Sequence, residues 1–421
     1  MHPKALLEAC AELVGLVLKL DHPADAVVSR YFRDHRQLGP RERATLAETV
    51  YAVLRRKLQF DHFAPSGSGP RERRMAILGF AGPRDFLKSA LSDTEKTWLD
   101  ACDAVSEADL LERHRHNLPE WLVQPLKDQV GADFWPLAES LLRPAPLDLR
   151  VNALADKRED VRKELARAGI QAQPTPYSPW GLRLDDKPAL TRLEAFTRGA
   201  IEVQDEGSQL VSQLCAPDTS MQVIDLCAGG GGKTLALAAL MNNHGQIFAT
   251  DTDTRRLAPI YDRLDRAGVR NVQVRSPKGK GDDPLADLEG KADLVVVDAP
   301  CTGTGTWRRN PDAKWRVRPG ALEQRQNDQA AVLDRAADLV KKGGRIAYIT
   351  CSLLPPENDD AVDAFLARHP GFTLEAVDDV ARRAGLAALA QYRSIGGQGI
   401  LLTPLRTKTD GFFFASLLRT D

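Results

Sequence analysis

The sequence of 421 residues has no long uncharged apolar run, and this excludes a protein that spans a membrane. It also has almost no excess charge: 57 Lys and Arg side chains face 58 Asp and Glu, for a formal charge of −1. A uniformly basic nucleic-acid binder is thereby excluded, although local basic patches are not. The N-terminal residues lack a signal-peptide cleavage pattern, so we expect a cytoplasmic protein.

Cysteine and histidine are few and scattered. The six cysteines form no C-x-x-C pair, and the eight histidines show no ligand spacing, which excludes a zinc ribbon and a disulfide framework. We therefore expect a reduced protein without a structural metal. The cysteines are Cys10, Cys102, Cys215, Cys227, Cys301 and Cys351.

The length predicts two or three domains. Residues 1–143 carry apolar side chains at helical spacing only and predict an all-α domain. Pro144 and Pro146 mark a boundary to a small α+β subdomain, 144–205, and the remaining residues, 206–421, form the largest domain. Nothing in the pattern requires an oligomer, so we expect a monomer.

The largest domain alternates short apolar strands with helical runs. Such alternation predicts a parallel, doubly wound α/β sheet, which binds ligands at the carboxyl ends of its strands. The predicted strands are 223–226, 246–250, 272–275, 294–297 and 345–349. The clearest predicted helices are 234–241, 255–267 and 322–341.

The first of these strands ends in a glycine-rich loop, 225–234 (DLCAGGGGKT). A dinucleotide-binding G-x-G-x-x-G pattern fails because its third glycine would fall on Thr234. A phosphate-binding G-x-x-x-x-G-K-[ST] loop fits better, yet its first glycine would be Cys227. An adenosine-type ligand is best supported, and a turn without a ligand remains the plain alternative.

Acids and thiols stand at the other strand ends. Asp251 follows the second strand and suits a ribose hydroxyl pair, as acids do in nucleotide-binding folds. Asp298 ends the fourth strand and would also suit the magnesium-binding strand of an NTPase. Cys301 and Cys351 follow strands that we expect to be neighbours, and two converging thiols suggest covalent chemistry.

These motifs resemble the Sun/Fmu-type RNA cytosine-5 methyltransferases, which use S-adenosylmethionine. The likeness covers roughly residues 145–421, and the helical region is similar to the NusB-like RNA-binding domain of the branch that modifies small-subunit ribosomal RNA. The methyltransferase motifs are 203–209, the glycine loop, 298–301, 303–305, 308–312, 314–315, 350–358 and 409–413, and the NusB-like ones are 24–26 and 51–56.

The resemblance implies a reaction and its residues. Cys351 would be the nucleophile, Cys301 would assist release of the product, and Asp298 would hold the cytosine while bordering the cofactor. The substrate implied is 16S ribosomal RNA. The cofactor-binding residues implied are Cys227, Ala228, Gly229, Gly230, Gly231, Gly232, Lys233, Asp251, Arg256 and Asp298.

The chain departs from the family pattern in two places. Gly229 and Gly230 replace the usual Ala-Pro, which should loosen the loop while keeping its backbone donors. After the third strand, the stretch 276–283 lacks the usual acid near the adenine, so either Asp282 takes that role or the cofactor binds more weakly. Two alternatives stay open: a P-loop-like NTPase and a catalytically silent RNA-binding ribosome assembly factor.

Two clusters of basic residues favour an RNA-binding function, although the net charge of the whole chain is close to zero. Between residues 30 and 57, eight basic residues face three acids, a net charge of +5. The second cluster mixes cations with Trp307 and Trp315, as RNA-binding surfaces do. The first cluster comprises Arg30, Arg33, Arg36, Arg41, Arg43, Arg55, Arg56 and Lys57, and the second Arg308, Arg309, Lys314, Arg316 and Arg318.

Overall fold

The computed structural model describes residues 1–279 and 281–421, so Lys280, within the stretch lacking the adenine acid, lies outside the described residues. The described chain divides into two compact units. The helical unit comprises Met1–Pro144 and Thr306–Arg318, and the sheet unit comprises Ala145–Gly305 and Pro319–Asp421. The three-domain division stays a prediction; the observed units differ from it by grouping Thr306–Arg318 with the helical residues.

The helical unit is built from amphipathic helices around one core, whose fully buried members include Leu7, Leu46 and Met75. Pro40 opens the third helix, which ends at Arg55, and a new helix begins at Lys57. Up to residue 144 the helices are α1 (Pro3–Val17), α2 (Ala24–Asp34), α3 (Pro40–Arg55), α4 (Lys57–Phe63), α5 (Arg71–Leu78), α6 (Arg84–Lys88), α7 (Asp93–Asp103), α8 (Glu112–His116), α9 (Glu120–Val130) and α10 (Phe134–Leu141).

The sheet unit contains twelve strands among its described residues. The strands are β1 (Leu147–Val151), β2 (Ala172–Pro174), β3 (Gly181–Leu184), β4 (Ile201–Val203), β5 (Gln222–Asp225), β6 (Gln246–Ala249), β7 (Val272–Val274), β8 (Ala292–Asp298), β9 (Val340–Thr350), β10 (Phe372–Leu374), β11 (Ile400–Leu402) and β12 (Phe412–Arg419).

The remaining helices alternate with these strands, except that one of them belongs to the helical unit. They are α11 (Arg158–Arg167), α12 (Glu194–Thr197), α13 (Glu206–Leu214), α14 (Gly232–Leu240), α15 (Thr254–Leu257), α16 (Ile260–Ala267), α17 (Ala313–Arg316, in the helical unit), α18 (Pro319–Leu339), α19 (Asp359–Arg368) and α20 (Val377–Arg383). Over the described residues, no helix combines the length and the apolar character that crossing a membrane requires.

Two sheets organise the second unit. The first is antiparallel, in the order β2-β3-β1-β4, and the second runs β10-β12-β9-β8-β5-β6-β7 with β11 paired to β12. From β9 to β7 the pairs are parallel, so the predicted doubly wound architecture is confirmed. Its centre is apolar on both faces, with Val223, Leu294 and Ile349 fully buried.

The strand order brings the chemistry-bearing segments to one edge. The chain order reverses between β5 and β8, which is where doubly wound sheets open a ligand crevice. In the parallel register Asp225 lies opposite Val296, and Asp298 lies opposite Ile349. The loops that follow β5, β8 and β9 therefore start side by side.

Three predicted boundaries were wrong. The helix expected over 255–267 is divided at Pro259, which has no backbone N–H to continue the hydrogen-bond ladder. The helix expected over 322–341 ends at Leu339, and β9 begins at Val340 rather than Arg345. The antiparallel strands β10, β11 and β12 were not predicted, because the parallel pattern gave no reason to expect a reversed strand beside β9.

Candidate active site

The glycine loop joins β5 to α14 and depends on glycine at one position above all. Gly231 has a φ of +81°, and a Cβ placed there would lie 2.5 Å from Cγ1 of Ile260. Such a φ and such a contact exclude a larger residue. The Ala228 N–H donates to the Thr250 carbonyl over 2.9 Å, which anchors the loop to the neighbouring strand.

Asp251 fixes the other side of this loop. Its carboxylate is buried and accepts from the backbone N–H groups of Gly229 and Asp253, each over 2.9 Å. The Gly229 donor is thus engaged within the chain rather than left for a ligand. Each carboxylate oxygen keeps a lone pair, so Asp251 can still accept from a ribose hydroxyl. Arg256 is 63% exposed and its guanidinium lies 4.0 Å from Asp251, so it stands at the outer edge of the loop.

Asp225 is a candidate site residue that was not predicted from the sequence. One carboxylate oxygen accepts from the Thr234 hydroxyl over 2.7 Å, and the other has no hydrogen-bond partner in the described part of the chain. Burial raises the pKa of Asp225 to about 7, helped by the charge of Asp298 and opposed by the Thr234 hydrogen bond. An unpaired buried acceptor is costly and favours a ligand that brings a donor or positive charge. The signal in the sequence was an acid directly before the glycines.

Lys233 forms an ion pair with Asp298, with 2.6 Å between Nζ and Oδ2. Burial, the largest single cause, lowers the pKa of Lys233, but the charge and hydrogen bond of Asp298, together with Cys351 and Asp225, outweigh it and the pKa is raised. The ammonium group of Lys233 is therefore paired with a carboxylate, unlike the lysine of a P-loop, which binds phosphate. Asp298 remains 32% exposed and can reach a ligand. Behind them, burial raises the pKa of the Cys227 thiol, which makes it a poor nucleophile.

The two thiols expected to converge do so. Cys301 Sγ and Cys351 Sγ lie 3.3 Å apart at the ends of the adjacent parallel strands β8 and β9. The hydrogen bond to Cys351, together with burial, raises the pKa of Cys301 well above its ordinary value. Either sulfur can be the donor in this contact, and the raised pKa of Cys301 favours Cys301 as the thiol that keeps its proton.

The structure thus links the predicted residues in three groups: Gly229 with Asp251, Lys233 with Asp298, and Cys301 with Cys351. The candidate adenine acid is not among them. Asp282 is exposed and accepts from the Lys278 N–H over 2.7 Å within its own turn.

The second basic cluster, predicted to be an RNA surface, is only partly accessible: Arg316 and Arg318 are exposed, whereas other members are buried. Trp307, Arg308 and Lys314 are buried within the helical unit. Lys314 Nζ donates to the Arg55 carbonyl over 3.0 Å, so it caps the C-terminal end of α3. Burial, with Arg55 beside it, holds the pKa of Lys314 well below its ordinary value. The charge pattern did not reveal that these side chains pack into a core.

The first basic cluster is largely exposed. Its members Arg30, Arg33, Arg36 and Arg41 are accessible, whereas Arg55 is buried and donates to the Arg308 carbonyl over 3.3 Å. The first cluster therefore offers the better-placed cations for an anionic partner.

Comparison with known proteins identifies the family. The profile described as 16S rRNA methyltransferase RsmB/F matches residues 212–418, and that of the RsmF/B-like ferredoxin-like domain matches 118–191. The chain is 29% identical to the probable ribosomal RNA small subunit methyltransferase B of Synechocystis, over 94% of this chain and 95% of that protein. It is 32% identical to the ribosomal RNA small subunit methyltransferase B of Citrobacter koseri, over 75% of this chain and 68% of that one.

Solved structures agree with this assignment. The crystal structure of PH0851 covers 99% of both chains with a TM-score of 0.79 and 26% identity. A methyltransferase homologue from Pyrococcus horikoshii matches 75% of this chain and 100% of its own with a TM-score of 0.60 and 26% identity. The fold is that of an S-adenosylmethionine-dependent methyltransferase. The chain belongs to the RsmB/F, or Sun/Fmu, family of 16S rRNA methyltransferases, which confirms the resemblance found in the sequence.

Proposed function

We propose that the protein transfers a methyl group from S-adenosylmethionine to carbon 5 of a cytosine in 16S ribosomal RNA, through a covalent bond between Cys351 and the base. The observation that carries this proposal is the 3.3 Å contact between the Cys301 and Cys351 sulfurs at the crevice edge. The names of the relatives support ribosomal RNA as the substrate.

The chemistry explains why two thiols are useful. S-adenosylmethionine, when bound, supplies an electrophilic methyl group. Carbon 5 of cytosine is a poor nucleophile, so the Cys351 sulfur first adds to carbon 6, and the electron pair of the 5,6 double bond becomes available at carbon 5. After the methyl group is transferred, a base removes the proton from carbon 5 and the bond between sulfur and carbon 6 breaks.

The other residues of the site have supporting roles in this proposal. Asp298 holds the cytosine edge or favours protonation of its ring nitrogen, while Lys233 fixes the carboxylate. Cys301 donates to Cys351 before the reaction and assists its departure afterwards.

The cofactor would be held by the glycine-loop half of the edge. The unpartnered oxygen of Asp225 suits the amino group of the methionine moiety, and Asp251 suits the ribose. The remaining groups that would line the cofactor are Cys227, Ala228, Gly229, Gly230, Gly231, Gly232, Lys233, Arg256 and Asp298.

A cytosine in an RNA helix cannot reach such a site without leaving the stack, so the target would be unstacked or in a loop. The exposed arginines of the first basic cluster would contact the phosphate backbone. We further propose that the protein acts in the cytoplasm as a monomer.

Two alternatives are separated by ligand binding and by activity. In thermal unfolding, S-adenosylhomocysteine should raise the melting temperature and ATP with magnesium should not; the reverse result would favour the NTPase. A silent RNA-binding assembly factor would bind RNA without transferring a methyl group. The ion pair between Lys233 and Asp298 speaks against the NTPase.

The deciding experiment is transfer of labelled methyl from S-adenosylmethionine to unmodified small-subunit ribosomal RNA, with bisulfite sequencing of the product. We expect one new 5-methylcytosine, which is lost with Cys351→Ala. Methylation at another atom, or at a normal rate with Cys351→Ala, would contradict the proposal.

A further inference from the structure

Glu357 is a fully buried acid that the reaction above does not use. It lies on the single-turn helix Pro355–Glu357, between β9 and α19. In the described part of the chain no cation forms a salt bridge with it. A buried carboxylate without a cation is expensive unless several donors surround it, and its presence needs a reason.

Four donors do surround this carboxylate. Oε1 accepts from the Thr302 N–H over 2.8 Å and from Gln329 Nε2 over 3.1 Å. Oε2 accepts from the Thr302 hydroxyl over 2.5 Å and from the Ser352 hydroxyl. All four are neutral, so the carboxylate is satisfied by hydrogen bonds alone.

These donors belong to the loops that carry the thiols. Thr302 directly follows Cys301, and Ser352 directly follows Cys351. One carboxylate therefore joins the residue after the first cysteine to the residue after the second. Thr304 adds a parallel link, because its hydroxyl lies 3.2 Å from that of Ser352.

We propose that Glu357 is a positioning residue that ties the two cysteine loops together and so sets the contact between the Cys301 and Cys351 sulfurs. This inference rests on the proposed roles of the two cysteines. The charge of Glu357 acts in the same direction as the geometry. The pKa of Cys301 is raised mainly by the hydrogen bond to Cys351 and by burial, and the negative charge of Glu357 is a smaller cause. This charge therefore helps keep the Cys301 thiol protonated.

The test compares three variants. Glu357→Ala removes the acceptor of all four hydrogen bonds. Glu357→Gln keeps the shape, because its amide oxygen can accept from the Thr302 N–H while its amide group donates to the two hydroxyls. Asp359→Asn is the matched control: Asp359 is also buried, but its carboxylate accepts from the Ser394 hydroxyl over 2.5 Å and the Gln398 N–H over 3.0 Å, away from the thiol loops.

The first readout is independent of RNA. Diamide oxidises two neighbouring thiols to a disulfide, with its N=N bond accepting two electrons and two protons to become a hydrazine. The rate at which the peptides of Cys301 and Cys351 become linked, followed by mass spectrometry, reports how often the sulfurs are in contact. The second readout is kcat and KM for methyl transfer.

We expect Glu357→Ala to slow the disulfide at least about tenfold, since it breaks several hydrogen bonds to a charged group. It should lower kcat about 100-fold, the effect of a misplacement near 1 Å, with KM for the cofactor nearly unchanged. Glu357→Gln should restore the disulfide rate to near the wild-type value. Asp359→Asn should lower the melting temperature without changing either rate by more than about twofold.

A disulfide rate in Glu357→Ala equal to that of the wild type would overturn the inference, as would equal slowing in Asp359→Asn. The two proposals fail separately. If the wild-type protein does not methylate cytosine, the disulfide arm still decides whether Glu357 positions the thiols.

Discussion

The carboxyl edge of the large sheet has two halves that are held together by different kinds of contacts. At the ends of β5 and β6, backbone groups and positive-φ glycines shape the surface, and one oxygen of the buried Asp225 has no partner in the described chain. At the ends of β8 and β9, side chains cross-link the loops, and the central Glu357 accepts four hydrogen bonds.

Under the proposed function, this difference follows from the task of each half. A half that receives a ligand keeps an unfulfilled acceptor, because the ligand completes it. A half that presents reactive atoms at a set distance needs its own donors and acceptors to be hydrogen-bonded to each other, since a loose network would not hold two sulfurs at 3.3 Å. Changes in the first half should therefore act on cofactor affinity, and changes in the second on the rate of reaction.

The largest effect is expected in the thiol half. Cys351→Ala should lower methyl transfer at least about 10³-fold, the scale of losing a covalent nucleophile. Cofactor and RNA affinity should stay near the wild-type values, as measured by calorimetry and filter binding. Cys301→Ala should instead accumulate a covalent RNA adduct, visible as a shifted band in a denaturing gel. An adduct with Cys351→Ala but none with Cys301→Ala would exchange the two roles.

The second effect belongs to the cofactor half. Asp225→Asn removes the negative charge proposed to hold the cofactor amino group and should weaken S-adenosylmethionine binding about 10- to 100-fold, the value of a hydrogen bond between charged groups. The kcat at saturating cofactor should change less than the affinity. A fall in kcat with unchanged affinity would contradict the assignment of cofactor affinity to one half and of the reaction rate to the other.

The same variant has a pH signature in stability. The folded pKa of Asp225 is about 7 against 3.8 for an unperturbed carboxyl, so the folded state binds the proton more tightly. The protonated Asp225 carboxyl therefore contributes to the stability of the folded state below pH 3.8, and this contribution is lost as the pH rises toward 7. Asp225→Asn removes that loss, so its melting temperature should exceed that of the wild type more at pH 8 than at pH 4.5. Differential scanning calorimetry at the two values checks this sign.

A third, smaller effect tests the backbone of the glycine loop. Gly231→Ala should cost about 2 kcal/mol or more in the free energy of unfolding, because the left-handed φ and the contact with Ile260 are both unfavourable. The control is Gly290→Ala, which has a φ of +62° but open space around the added Cβ, and should cost about 1 kcal/mol. Urea denaturation measures both. Equal losses would show that the contact with Ile260 is relieved by a small shift.

Much of this edge could be predicted from the sequence. Apolar strands that each end in a polar residue identify where ligands bind, so the glycine loop, Asp251, Asp298 and the two thiols could be placed on one side of one sheet. The confirmed pairing of β8 with β9 brought the thiols together as expected. These residues are recognisable because strand periodicity fixes their position without knowledge of side-chain packing.

What could not be predicted depends on packing. Lys314 and Glu357 are charged, and nothing in their neighbours along the chain indicates that both are buried. Lys314 was interpreted as an RNA-binding cation among arginines and tryptophans, yet it donates to the Arg55 carbonyl at the end of α3. Asp225 was overlooked because an acid at a strand end seemed part of the strand, and only the structure reveals its unpartnered oxygen.

The smallest expected effect concerns Arg256, which the family resemblance places at the cofactor. Its guanidinium is exposed and 4.0 Å from Asp251, and such surface ion pairs contribute about 0–1 kcal/mol. Arg256→Ala should therefore weaken S-adenosylmethionine binding less than about fivefold, whereas Asp251→Asn, which changes a buried carboxylate that accepts from two backbone N–H groups, should weaken it about tenfold or more. Isothermal titration at two salt concentrations separates them, because only the exposed charge is strongly screened. If Arg256→Ala loses as much affinity as Asp251→Asn, Arg256 folds over the bound cofactor, and the cofactor half relies on side chains as heavily as the thiol half does.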